Sequence, residues 1–324
     1  MFEMASTPIQ KIDMQNIDLE DDRYQISIQN NFNILCQSIQ QMGVMRPPVI
    51  QNKESNFRVV SGFQRILAGK EIGMEFISCH VVPPDVSEYD CARWAIAENA
   101  SQRSLMPLEQ SRAVRLIEKI LPDNATLCEI AQHMGLPSSQ KALDHIRPLC
   151  AMAQYIQAGI ANDYIALPIA HALTHFSEND ARCFANLLKR LNVGVNIQRE
   201  LLTTCEEIAK RDNKSVTNLL DSEPVIAIMD RYRDDRKQCI YYLRQYLKRV
   251  RYPAYTAVKS KVESNMKRLK LNEQTRLVPP PFFESDLWQI QVSFKDINEL
   301  KDSFADVLSK TDAINTIIAQ DIQI

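Results

Sequence analysis

Only 7 of the 324 residues are glycine, where ordinary usage would supply roughly 23. They are Gly43, Gly62, Gly69, Gly73, Gly135, Gly159 and Gly194, and no two stand two residues apart. Neither the dinucleotide-binding fingerprint nor the Walker A loop can be written with them. Collagen-like, glycine-linker and low-complexity folds are excluded as well. A chain so poor in glycine leans toward helix, where interior glycine is unfavourable. Any phosphate cradle has to be built without a glycine-rich loop.

No run of about 20 apolar residues reads as a membrane span, and Met1 to Ile12 does not read as a signal peptide. The 8 cysteines are never closer than twelve residues, which defeats a zinc knuckle or a redox pair. They read as buried thiols of a cytoplasmic protein. His171 and His175 stand at i, i+4 without a third candidate ligand nearby. Net charge is −2, yet residues 231–270 alone hold 13 of the 38 basic side chains and only 3 acidic ones. Such a basic block predicts contact with a phosphate backbone, or else a solvated basic helix or one that pairs with the acidic tail.

Periodicity divides the chain into three expected parts of an α+β protein. Residues 1–104 alternate strand and helix signals, as a small α/β domain. Phe32, Leu35, Ile39 and Met42 predict a helix that Gly43 ends. Pro47 to Gln51, Phe57 to Val60 and Phe76 to Val82 predict strands. Ser61-Gly62 opens a helix to about Ile72, and Asp85 or Ser87 caps another to about Ala100. Residues 105–210 read as helical throughout, starting with a helix from Pro107 to Ile120. Thr126 and Glu129 then fit a capping box, Ala131 a close helix crossing, and Gly135 a left-handed turn. Ser138 or Ser139 caps a second helix carrying Leu143, Ile146 and Leu149 inward. That is a helix-turn-helix pattern. Thr126, Ser138, Ser139, Gln140, Lys141, His145 and Arg147 are its candidate DNA contacts, with Asp144 on the same outward face. An ordinary helical hairpin remains the alternative.

In residues 211–324, Ile240, Leu243, Leu247 and Val250 form one apolar stripe and, after Pro253, Val258, Val262, Met266 and Leu269 form another. Arg244, Lys248, Arg249 and Arg251 surround the first as further candidate DNA contacts. The tyrosines among them read as core or dimer contacts. Trp288, Ile290, Val292 and Phe294 alternate as a strand face. A final acidic helix carries Ile297, Leu300, Phe304, Val307 and Leu308. Strand and helix are too small to stand alone, so the unit either docks on the basic helices or dimerises.

Together these segments resemble ParB-type partition proteins, in particular the subset found on mobile elements. Leu35 to Pro48 resembles the family's opening helix and strand. Ser61-Gly62-Phe63-Gln64-Arg65 with Ala68 resembles its glycine–arginine box. Glu98-Asn99 with Gln102-Arg103, Leu105, Pro107 and Glu109 resembles its acidic–asparagine–arginine box. Gly159 to Phe176 and about Arg249 to Leu308, with Pro280-Pro281-Phe282-Phe283, resemble its later helical and C-terminal parts.

The resemblance implies a ParB/sulfiredoxin-like N-terminal domain that binds cytidine triphosphate and magnesium. It implies a homodimer that reads a palindromic site on double-stranded DNA, closes on it as a clamp, and works with a ParA-type ATPase in plasmid, chromosome or mobile-element partition. Carried over by position, Ser61, Gly62, Gln64, Arg65, Asn99, Gln102 and Arg103 would hold the nucleotide. Glu98 and Asn99 would face the metal. The protein would be cytoplasmic, DNA-associated and at most a weak CTPase. The chain departs from the family at Gln64 and Leu67, where arginines usually stand, and at Gln102, the usual arginine position, so that Arg103 comes one residue late. Two other readings stay open: a ParB-like transcription regulator that has lost nucleotide hydrolysis, and a nuclease-like enzyme of phosphate chemistry on the same fold.

Overall fold

The computed structural model describes residues 7–28, 31–121, 127–283 and 285–321. The chain forms two compact units, Met1–Val195 and Asn196–Ile324, each described by itself.

The first unit opens with a five-stranded mixed sheet of β1 (Ile9–Asp13), β2 (Ile17–Asp18), β3 (Val49–Asn52), β4 (Phe57–Ser61) and β5 (Phe76–Val82), in the order β1-β5-β3-β4-β2. β3 and β5 run parallel, with Ile50 opposite Val81, while β3 and β4 are antiparallel. The central strands are apolar on both faces because helices cover the sheet: Val49, Ile50, Val59, Val60, Ile77, Cys79 and Val82 are all buried. The helices are α1 (Phe32–Met42), α2 (Phe63–Glu71) and α3 (Glu88–Gln102). Gly43 ends α1 at φ 73, and Ser87 caps α3 by accepting from the Asp90 N–H at 3.1 Å.

Helices α4 (Pro107–Ile120), α5 (Leu127–His133), α6 (Gln140–Ile146), α7 (Gln154–Ala161), α8 (Leu167–Leu173) and α9 (Glu178–Leu191) complete the unit. One apolar cluster runs from Ile12 through Val114 and Ala131 to Leu143. Packing is therefore continuous across residue 104, where the sequence suggests a boundary.

The second unit is built on α10 (Val195–Asp212), α11 (Val216–Leu220), α12 (Glu223–Arg231), α13 (Arg236–Arg251) and α14 (Pro253–Leu269). Pro253 starts α14, where its missing N–H costs nothing. A hairpin of β6 (Thr275–Val278) and β7 (Gln289–Val292) follows, then α15 (Ile297–Ser309) and α16 (Thr311–Asp321). Leu269, Leu277, Val307, Ile314 and Ile317 close a small core against which Trp288 packs, and α16 lies on α14. The C-terminal strand and helix thus dock within their own unit. Ile290 and Phe294 nonetheless stay exposed, so the expected apolar strand face is only partly covered.

Candidate nucleotide and DNA-binding sites

The chain turns from β4 into α2 at Gly62, which holds φ 88. A Cβ there would sit 2.9 Å from the Pro48 Cβ, so both the backbone and the space require glycine. No side chain caps α2, which leaves its first N–H groups available to an anion. Arg65, one turn on, is fixed from two sides. Its guanidinium donates to the Arg46 carbonyl at 2.7 Å and pairs with the Glu98 carboxylate from α3. Asn99 donates its amide to the Ala95 carbonyl at 2.8 Å.

Arg103, just past α3, forks onto Glu109 with both Nη–Oε distances at 2.7 Å. Glu109 is fully buried in the first turn of α4 and also accepts the N–H groups of Met106 at 2.9 Å and Ile28 at 3.1 Å. Burial pushes its carboxyl upward, but the Arg103 fork and the two backbone donors outweigh that and hold it below the usual value. The same fork raises the Arg103 guanidinium.

These segments converge on one cavity of about 650 Å³, lined by Gly62, Gln64, Arg65, Asn99 and Arg103 among others. Ser27, Asn31 and Met106 also line it; no motif in the sequence marks them, because they arrive from loops. Of the other candidates, Ser61 ends β4 buried, with its Oγ unpartnered among the described residues. Gln102 is the last residue of α3. Glu98 stands beside the cavity on Arg65 rather than in its lining. Among the described residues no group of three or more acidic, histidine or cysteine side chains is placed to hold a metal ion. Glu98 and Asn99 fit magnesium only as partial ligands, since this ion is commonly bound by one or two protein groups plus phosphate and water.

The turn after α5, where the sequence predicts a helix-turn-helix, is closed by two reversed bonds: Gly135 N–H to the Gln132 carbonyl at 3.1 Å and Leu136 N–H to the Ala131 carbonyl at 2.8 Å. This is the Schellman arrangement, with Gly135 at φ 71 supplying the left-handed residue. Ala131 is fully buried, and Leu143 and Ile146 face inward from α6. Ser139 caps α6 by accepting from the Ala142 N–H at 3.3 Å. Gln140, Lys141 and His145 are exposed and Ser138 is half-buried. Gln140 donates to Asp144 at 2.8 Å, and the His145 ring meets His171 edge-on. Arg147 is turned toward α4, pairing with Glu118 at 2.6 Å. Thr126 lies outside the described residues.

On the basic helix α13 the candidates divide. Arg244 forks onto Glu200 of α10 at 2.9 and 2.7 Å, and Arg251 pairs with Glu207. Lys248 and Arg249 are exposed. Half of this set is thus already neutralised inside the unit. Tyr241, Tyr242 and Tyr252 are largely exposed rather than core, and Tyr242 stacks on Tyr232 with centroids 4.6 Å apart.

A family model described as the ParB N-terminal domain matches residues 3–100. Three curated relatives are similar over longer stretches. A probable plasmid-partitioning protein ParB of Thermus thermophilus is 21% identical over 56% of this chain and 70% of its own length. A probable chromosome-partitioning protein ParB of Helicobacter pylori is 23% identical over 56% and 60%. Stage 0 sporulation protein J of Bacillus subtilis is 26% identical over 41% and 45%.

Two solved structures of a C-terminally truncated chromosome-partitioning ParB from Caulobacter crescentus also match. One is complexed with CTP-γ-S, at 18% identity and TM-score 0.27, over 56% of this chain and 98% of that one. The other is complexed to the centromeric parS site, at 14% and 0.32, over 59% and 97%. Residues 3–100 thus match the ParB N-terminal domain, and about half of the chain is similar to ParB-type partition proteins.

Proposed function

We propose that the protein is a site-specific DNA-binding partition protein whose N-terminal cavity takes cytidine triphosphate with magnesium. The observation that carries this reading is the convergence of Gly62, Gln64, Arg65, Asn99 and Arg103, from separate segments, on one cavity. The uncapped start of α2 and the Arg65 fork would hold the phosphates. Glu98 and Asn99 would take the metal, which neutralises phosphate charge when bound.

Arg65 and Glu98 now hold each other, so nucleotide entry is an exchange. Arg65 passes from a carboxylate to a phosphate, and Glu98 from an arginine to a cation. Metal and nucleotide then favour each other's binding, because each releases the other's partner.

In the first unit the exposed face of α6 would meet DNA, with Lys141 on the phosphate backbone; in the second unit Lys248 and Arg249 would contact phosphates. A palindromic site requires a homodimer. Leu287, Ile290, Phe294, Ile297, Phe304 and Leu308 leave a run of exposed apolar side chains on the C-terminal hairpin and helix, which suits a second copy. Closing as a clamp and acting with a ParA-type ATPase follow from the family resemblance. The three-part division at residues 104 and 210 is part of the same reading.

A regulator that binds DNA without nucleotide is the second reading. It is favoured by Gln64 in place of an arginine and by the engagement of Arg65 and Arg103 with Glu98 and Glu109. Titrating cytidine triphosphate into the purified protein, with and without DNA from its genetic neighbourhood, separates the two. Binding promoted by magnesium supports the first. Absence of binding at millimolar nucleotide, with site-specific DNA binding intact, supports the second.

A further inference from the structure

A second cleft, of about 400 Å³, lies along helix α4 and borders the same segment 22–28 as the cavity described above. It is lined by Asp22, Arg23, Gln25, Arg112, Arg115 and Lys119, and closed by Cys150 and Gln157. Tyr24 and Ile26 are buried in the core, so the segment between the two hollows is firmly seated. Arg112, Arg115 and Lys119 fall at i, i+3 and i+7 on α4, one stripe of the helix. Like charges so spaced repel.

Elsewhere in this unit several arginines have a carboxylate partner: Arg65 has Glu98, Arg103 has Glu109 and Arg147 has Glu118. In the cleft Arg23 pairs with Asp21 and Glu88, but Arg112, Arg115 and Lys119 have no carboxylate partner among the described residues. Among the described residues Arg112 donates only to the Ser27 carbonyl at 3.1 Å, and Arg115 only to the Cys150 sulfur at 3.8 Å. Lys119 has no ion-pair partner among the described residues. Asp21 is spent on Arg58 and Arg23, and Glu118 on Arg147, which leaves Asp22 as the one acidic group in the lining among the described residues. The far wall is fixed by Gln157, which donates to the carbonyls of Cys150 and Met152 at 3.2 and 2.7 Å.

We infer that this cleft binds a phosphate group through Arg112, Arg115 and Lys119. Two guanidinium forks and an ammonium suit a tetrahedral oxyanion. Ser111, the neighbour of Arg112, ties α4 to the residues that follow the second helix of the helix-turn-helix. Its Oγ donates to the Arg147 carbonyl at 3.1 Å and accepts the Cys150 N–H at 3.0 Å. The cleft thus borders the DNA-reading motif, and the expected source of the phosphate is the backbone of a bound duplex. A free polyphosphate carries the same chemistry.

The test uses the full chain with Arg65→Ala, so that the first cavity contributes little, and the same protein with Arg115→Ala and Lys119→Ala added. Both added positions are exposed, and thermal melting checks that the fold is kept. Binding of a duplex of unrelated sequence is measured by fluorescence anisotropy across salt concentrations, and binding of inorganic tripolyphosphate by calorimetry. The expected result is a weakening of duplex binding by about tenfold at low salt, with a salt slope shallower by about one to two. A tenfold loss confined to tripolyphosphate would instead assign the cleft to a free anion. Duplex and tripolyphosphate affinities both unchanged would overturn the inference. Lys119→Gln alone, read in the same two assays, decides the matter if the triple variant is poorly folded. The comparison is made within an Arg65→Ala background, so its outcome does not depend on whether the first cavity takes a nucleotide.

Discussion

Glu109 shows how a single side chain can hold a binding cavity in shape. It stands in the first turn of α4, binds Arg103 twice, and satisfies two backbone N–H groups, one of them from the loop at Ile28. Replacing it with alanine should destabilise the protein by about 2–4 kcal/mol, because it leaves buried donors unmatched; urea unfolding measures this. Its carboxyl titrates below its ordinary value near 4.5 in the folded state. The stability it contributes is therefore present above about pH 4.5 and lost as pH falls through the lower folded value. Glu109→Gln should flatten that acid limb of stability against pH.

Gly62→Ala meets both a positive φ and the Pro48 side chain. It should cost about 2 kcal/mol in thermal or urea unfolding and weaken nucleotide binding by displacing Arg65. At this scale the sequence was informative where a residue type is forced. Gly62 was legible as the glycine of a strand–helix junction, where it holds a positive φ, and Arg65 through the family resemblance. Ser27, Asn31 and Met106 were not, because only the fold brings them to the cavity. Nor does any spacing rule say that Arg65 meets Glu98, 33 positions away.

Elements with a clear period were legible almost to the residue. α1, α4, α13 and β5 fall where apolar spacing puts them, since burial of one face fixes both the period and the ends. The short pieces escaped. β2 has two residues, β6 four, and β1 is an edge strand with only Ile12 buried. Strands of that kind are stabilised by their neighbours and leave little pattern of their own. The turn between α5 and α6 depends on Gly135 for conformation alone, because nothing lies within 4 Å of a Cβ placed there. Gly135→Val should cost about 1–2 kcal/mol of stability by denaturant titration and weaken site-specific DNA binding, while Gly135→Asn should keep most of both. On α6, Leu143 is fully buried, and Leu143→Ala should lower stability by about 2–5 kcal/mol.

At the scale of the molecule, the charge pattern of the sequence was right about place and incomplete about use. The basic block is helical as expected, yet Arg244 and Arg251 are bound to Glu200 and Glu207, acidic residues outside the block that no local count connects to it. Lys248→Ala with Arg249→Ala should therefore reduce DNA affinity and its salt slope more than Arg244→Ala does, read by anisotropy at several salt concentrations. On the proposed reading, the exposed apolar residues of the C-terminal unit form the contact with a second copy. Phe304→Glu with Leu308→Glu should yield monomers in sedimentation, at concentrations where the unaltered chain is dimeric.

The central claim is that the cavity around Gly62 and Arg65 takes cytidine triphosphate. Isothermal titration of the nucleotide with magnesium into the full chain and into Arg65→Ala tests it most directly. The account predicts saturable binding that Arg65→Ala weakens by about 10- to 100-fold, the loss of one charge-assisted contact. No binding at millimolar nucleotide, or binding indifferent to Arg65, would contradict it.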